Sequence, residues 1–194
     1  MEDERRADQA PMAPKRVELE GGAHLRLLAP EDAPLVFRIV DRDRERLRRW
    51  LPWVDGSIGP ADTRAFIEAT IATQGREYIY GIWAVDGFAG CVGLHTDLEN
   101  RSAMIGYWVD QNHEGQGLVT QASSALTDIA FQSLLMHRVW LSADPDNTRS
   151  CAVAERLGFR REGVHREDTI VNGQFRDTVI YAVLEDGWRP SERP

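Results

Sequence analysis

The residues best suited to chemistry in this 194-residue chain run from Gly106 to Thr120: Gly106-Tyr107-Trp108-Val109-Asp110-Gln111-Asn112-His113-Glu114-Gly115-Gln116-Gly117-Leu118-Val119-Thr120. An apolar, aromatic strand enters a loop with two glycines, and the loop opens directly into a helix. Such a junction aims several backbone N–H groups at one point, at the positive end of a helix dipole, and suits a phosphate or pyrophosphate. Small residues there let the backbone approach a ligand closely. No Gly-Lys-Ser/Thr closes the loop, so it is not a Walker-type nucleotide site. The third glycine and the downstream acid of a dinucleotide fold are also missing. Coenzyme A is the remaining common user of a strand, glycine loop and helix in this order. His113 borders the loop and either touches a phosphate or stands exposed.

The elements around this loop read as one α/β domain over 17–188. Residues 1–16 are charged, contain Pro11 and Pro14, and read as a disordered tail; 189–194 form a short second tail. A strand at 23–28 leads into a helix begun at Ala29-Pro30-Glu31-Asp32, with Leu35, Val36, Ile39 and Val40 on its apolar face. A second helix is expected over about 43–50. A third opens at Gly59-Pro60, with Phe66, Ile67 and Ile71 sharing a face. Strands 78–85 and 89–95 flank Asp86-Gly87, a hairpin signal. The strand 103–109, the glycine loop and a helix over about 117–134 follow. Next come a strand at 137–142, a helix over 147–157 closed by Gly158, and two strands joined at Asn172-Gly173. This order implies a single mixed, mostly antiparallel twisted sheet of about seven strands with helices on both faces.

Composition excludes several classes. The net charge of −8 is the wrong sign for a nucleic-acid footprint. The basic run Arg42 to Arg49 is interrupted by acids and reads as a solvated helix face. No apolar run is long enough to span a bilayer, and the charged N-terminus does not read as a secretory signal. Two cysteines, Cys91 and Cys151, cannot form a disulfide framework, and no Cys/His spacing suggests a metal site. A cytoplasmic protein with reduced thiols, no nucleic-acid partner and no membrane partner is expected. Cys151 lacks an adjacent histidine and reads as a buried structural thiol.

Residues 24–185 resemble the GNAT superfamily of N-acetyltransferases. Glu114-Gly115-Gln116-Gly117-Leu118-Val119 matches the family's Gln/Arg-x-x-Gly-x-Gly/Ala loop, with Glu114 and Val119 departing from it. Asp146-Asn147-Thr148-Arg149-Ser150-Cys151-Ala152-Val153 through Gly158-Phe159 matches a second family segment, and Glu162-Gly163, Asn172-Gly173, Asp177 and Tyr181 complete the pattern. The Gly-Tyr-Trp-Val-Asp strand and Leu51-Pro52-Trp53 look most like the RimL branch, whose members acetylate protein N-termini, that of a ribosomal stalk protein in particular. The resemblance implies an enzyme that uses acetyl-CoA and no metal, and a possible homodimer.

By that resemblance, the pantetheine arm pairs with the backbone at Trp108 and Val109. The pyrophosphate sits on Glu114, Gly115, Gln116, Gly117, Leu118, Val119 and Thr120. Asn147 bonds the pantetheine, and Ser150 protonates the leaving thiolate and borders the cofactor. The family's alternative tyrosine acid falls on Ala154. The RimL-type glutamate base falls on Thr169, which accepts no proton at neutral pH. Glu167, on the same strand face, is the nearest substitute, and Asp168, His95, Asp97, Glu99 or a water chain are further candidates. Trp50 and Trp53 either wall the acceptor site or pack in the core. The acceptor is expected to be a protein N-terminal amine. The alternatives are a small-molecule amine (antibiotic, polyamine or aminoacyl compound) and a non-catalytic acyl-CoA-binding protein.

Overall fold

A computed structural model describes residues 12–189. Its strands are β1 (Arg16–Glu18), β2 (His24–Leu27), β3 (Glu77–Ala84), β4 (Gly87–Asp97), β5 (Ser102–Val109), β6 (Arg138–Ala143), β7 (Arg160–Val171) and β8 (Gln174–Leu184). They form one eight-stranded sheet in the order β1-β2-β3-β4-β5-β6-β8-β7. All neighbours are antiparallel except β5 and β6. The helices are α1 (Ala33–Arg42), α2 (Arg44–Leu47), α3 (Pro60–Ala72), α4 (Leu118–Asp128) and α5 (Thr148–Arg156). No described helix is long and apolar enough to cross a membrane.

The strands' alternation divides the core between the two faces of the sheet. Tyr78, Tyr80, Ile82, Val92, Leu94, Ala103 and Ile105 join Leu126, Ile129 and Leu134 from α4 and the π-turn that extends it. Ile79, Cys91 and Trp108, which point the other way, join Val36, Val40 and Ile67 from α1 and α3. Gly90 (φ +149°) makes the β4–β5 approach possible, because a Cβ there would lie 2.3 Å from the Trp108 carbonyl.

The parallel pair decides the architecture. β5 and β6 pair only at Ser102–Arg138, Ala103–Val139 and Met104–Trp140. Beyond these, β5 runs on to Val109 and β6 to Ala143 without meeting, so the sheet splits into a wedge. Parallel strands need a crossover, and α4 supplies it.

Three sequence expectations change. Of the tail expected over 1–16, residues 1–11 lie outside the described residues. Over 12–16, Ala13 is buried, the Pro14 carbonyl accepts the Tyr80 hydroxyl at 2.6 Å, and Arg16 opens the edge strand. Of the closing tail, 190–194 lie outside the described residues. On α3, Thr63, Ile67 and Thr70 face inward at helical spacing, while Phe66 and Ile71 stand exposed. Thr70 can be buried because its hydroxyl bonds the Phe66 carbonyl at 3.0 Å. The helix expected over 43–50 is shorter, and part of its basic face is engaged by acids from elsewhere in the fold.

Candidate active site

The β5–β6 wedge opens into a cleft of about 1510 Å³, walled by the glycine loop, α5, the end of α2 and the β7–β8 hairpin. Backbone geometry prepares its first wall. Gly115 and Gly117 adopt φ of +75° and +77°, and Gly117 immediately precedes α4. The N–H groups of Leu118, Val119 and Thr120 have no partner among the described residues, as expected of a first helical turn whose cap has no side chain. All three residues line the cleft with Gly115 and Gly117. Gln116 turns away, bonding the Asn112 carbonyl at 3.1 Å. The Gln121 amide oxygen is buried on the same wall without a partner.

The second wall is the free edge of β5. The Asp110 N–H donates to Ala89 on the β4 side at 2.8 Å. Successive residues alternate, so the N–H and carbonyl of Val109 face the wedge and those of Trp108 face β4. Of the two residues expected to offer backbone to a pantetheine arm, only Val109 presents it. Its carbonyl already accepts the Arg46 guanidinium at 2.6 Å.

An ionic network holds the loop from behind. The Asp43 carboxylate is fully buried and accepts the Gln111 N–H at 2.8 Å and Arg46 at 2.8 Å, with Arg42 at 3.0 Å. Burial alone would raise its pKa; these donors outweigh burial and hold the carboxyl below its usual range. Arg42 also bonds Asp110. His113 is buried and both its nitrogens are engaged, one by Asp110 and one by Asp86, each at 3.0 Å. Neither exposure nor a phosphate contact describes it. Within the run Arg42 to Arg49, Arg42 and Arg46 therefore act as a brace, with partners Asp110 and Glu114 68 residues on, while Arg49 remains an exposed part of the face. The Glu114 carboxylate sits between Arg46 (2.7 Å) and Arg149, joining α2 to α5 across the cleft mouth.

The third wall carries the candidate proton donor. The Asn147 Oδ1 accepts the Ser150 N–H at 3.3 Å and caps α5, leaving its amide nitrogen free. The Ser150 hydroxyl makes no hydrogen bond among the described residues, and its carbonyl accepts the Tyr107 hydroxyl at 3.3 Å. Burial pushes the Tyr107 phenol up to about 12, so it keeps its proton. The β6–α5 turn is fixed by Arg176, which bonds Asp144 at 2.6 and 3.1 Å and Asp146 at 2.6 Å. Against its burial, the Asp144 carboxyl is held low by Arg176 and the Asp146 N–H.

The expected bases separate sharply. Thr169 lines the cleft, its hydroxyl 3.3 Å from that of Thr178. Glu167 does not line it. A bulge between His165 and Thr169 breaks the strand alternation and puts Glu167 at φ +52°, exposed, with its N–H on Asp177 at 2.9 Å. Asp168 pairs with His165 at 3.7 Å, His95 with Glu77 at 3.4 Å, and Asp97 with Asn100; these and Glu99 lie off the cleft. Trp50 lines it, whereas Trp53 is 46% exposed and outside it. Cys91 is buried, which raises its thiol pKa. Cys151 is only half-buried, with its sulfur 3.8 Å from the Asp144 carbonyl. Among the described residues no cluster of His, Cys, Asp or Glu could hold a metal ion.

Residues 23–160 match the family model described as an acetyltransferase (GNAT) domain. The chain is 36% identical over 171 residues to YdaF of Bacillus subtilis (strain 168), provisionally named a ribosomal N-acetyltransferase, covering 84% of this chain and 92% of that one. It is 33% identical over 173 residues to the [ribosomal protein uS5]-alanine N-acetyltransferase of Escherichia coli (strain K12), covering 86% and 89%. Among solved structures, RimL, a ribosomal L7/L12 alpha-N-protein acetyltransferase in complex with coenzyme A, superposes with a TM-score of 0.85 at 26% identity, covering 89% of this chain and 99% of that one.

Proposed function

The chain belongs to the GNAT acetyltransferase family, and from that premise we infer that its acceptor is the α-amine of a polypeptide N-terminus. It is an acetyl-CoA-dependent N-acetyltransferase. The finer reading rests on one observation: a threonine, Thr169, stands in the cleft where RimL-type relatives resembled by this sequence carry a glutamate. With no carboxylate at that position, the acceptor is read as supplying its own neutral nitrogen. An α-amine with pKa near 7.8 is roughly a quarter neutral at pH 7.4, while an ε-amine near 10.4 is about one part in a thousand neutral. The cleft therefore suits an α-amine over a polyamine or lysine side chain. The relatives named for ribosomal-protein acetylation agree with this choice.

Bound acetyl-CoA supplies a thioester carbonyl that the amine attacks, forming the C–N bond as the C–S bond breaks. The unsatisfied N–H groups of Leu118, Val119 and Thr120 fit its pyrophosphate, with Gly115 and Gly117 clearing the approach. The Glu114 carboxylate, held between two guanidiniums, joins the walls of that site. The Val109 N–H faces the wedge as a donor to the carbonyl oxygen, and the free amide nitrogen of Asn147 serves the pantetheine. Ser150 gives its hydroxyl proton to the departing thiolate and recovers one from solvent. Thr169 and Thr178 hold the water that takes the amine proton.

The cytoplasmic setting and the homodimer implied by the family resemblance belong to the same reading; sedimentation of the purified chain tests the dimer. The activity test follows free thiol while acetyl-CoA is offered with short peptides, aminoacyl compounds and polyamines. Release is expected with free α-amines and not with N-terminally blocked peptides. Faster release with polyamines would overturn the α-amine assignment. Coenzyme A binding without amine-dependent release would favour a binding protein.

A further inference from the structure

The cleft continues into a side cavity of about 360 Å³ at its acceptor end. Three elements meet there: Arg49 and Trp50 after α2, Asp146 before α5, and Val171, Asn172 and Gln174 on the β7–β8 hairpin. The walls are tied together, because the Asn172 amide donates to the Arg48 carbonyl at 3.1 Å. Arg48 is itself held by both oxygens of Asp55 at 3.0 Å.

The arginines that line the cleft and this cavity differ in one respect. Arg46 is paired with Asp43 and Glu114, Arg149 with Glu114, and Arg176 with Asp144 and Asp146. Arg156, on the cofactor side, bonds the Thr120 hydroxyl. Arg49 has no carboxylate and no hydrogen-bond partner among the described residues. Its guanidinium lies 5.5 Å from the centroid of the Trp50 ring, which limits its freedom without neutralising it. In a chain with 31 acids against 23 bases, a cation left open at the acceptor end is suited to a negative ligand.

We propose that Arg49, over Trp50, forms a specificity subsite for an acidic side chain near the N-terminus of the acceptor polypeptide. The inference rests on the protein N-terminal reading given above. The register follows from strand geometry: Val171 and Asn172 lie two and three residues beyond Thr169, or roughly 7–10 Å at 3.3 Å per residue. An extended acceptor with its α-amine beside Thr169 therefore brings its third or fourth residue to Arg49. A carboxylate there gains a planar, charge-assisted pairing. A lysine there meets the unpaired guanidinium and is disfavoured.

The test uses peptides beginning with alanine that differ only at residues three and four, as Glu-Glu, Gln-Gln or Lys-Lys. The wild-type chain is expected to acetylate the glutamate peptide with kcat/KM about tenfold above the lysine peptide, and Arg49→Ala to flatten the series. Arg49→Glu should invert it, and a gain on the lysine peptide cannot come from misfolding. Equal rates across the series in the wild type, or an acidic preference that survives Arg49→Glu, would overturn the subsite while leaving the α-amine reading intact. A wild-type chain that acetylates none of the three peptides would overturn the protein-acceptor reading and the subsite with it.

Discussion

At the residue scale, two hydroxyls do different work. Ser150 is presented by the first turn of α5, anchored by Asn147 and by the Tyr107 bond to its carbonyl, and its own hydroxyl is unengaged. Ser150→Ala is expected to lower kcat about a hundredfold, the scale of a positioned proton donor, with coenzyme A affinity in a titration little changed. Thr169 shares its hydroxyl with Thr178 and titrates nowhere near neutrality. The rate on a peptide should therefore rise with pH through the peptide's own amine pKa, near 8, with no lower limb from a carboxylate at this position. Thr169→Glu should raise kcat/KM below pH 7 by returning a base to the cleft; a rate profile unmoved by that change would remove the position from the mechanism. The Thr169 departure is visible in the sequence by its spacing from Asn172-Gly173. The exclusion of Glu167 is not, because the bulge between His165 and Thr169 hides it from alternation. Ser150 can be placed by motif, while the support from Tyr107 comes from 43 residues away.

At the element scale, the glycine loop is legible because its requirements are local: positive φ at Gly115 and Gly117 and a helix that begins at once. Gly117→Asp places a side chain where φ is +77° and adds a negative charge beside the free N–H groups, and about a tenfold loss of coenzyme A affinity is expected. Unchanged affinity in calorimetry would remove the loop from the cofactor site. The brace behind the loop is illegible for the opposite reason. Arg42 and Arg46 look like a surface run until the fold brings Asp110 and Glu114 to them. Removing the buried Asp43 charge takes one carboxylate from each of two arginines that keep Asp110 and Glu114, and Asp43→Asn should cost about 2 kcal/mol of stability at pH 7. The sign of its pH dependence follows from a carboxyl held below its usual value of 3.8. The Asp43 contribution is complete above about pH 4 and fades as pH falls through the lowered folded-state pKa. Thermal melts of wild type and Asp43→Asn should therefore converge below that range; a gap that persists into strong acid would contradict the assignment.

At the scale of the whole molecule, the sheet does the organising. Alternation and turn signals in the sequence are enough to anticipate a mixed sheet with helices on both faces. The edge strand β1 escapes because three residues carry no period. The parallel β5–β6 pair ends after three rungs, and everything the cleft needs follows from that wedge: a free β5 edge, a loop at its tip, α5 opposite and the β7–β8 hairpin closing the acceptor end. On the proposed reading, this wedge carries an acetyl group from acetyl-CoA to a polypeptide α-amine. Its most direct test is mass spectrometry of a peptide carrying both a free N-terminus and a lysine, after incubation with the protein and acetyl-CoA. One acetyl group on the N-terminal nitrogen, and none when that nitrogen is blocked beforehand, is the predicted result. Acetylation of the lysine in preference to the N-terminus would contradict the claim.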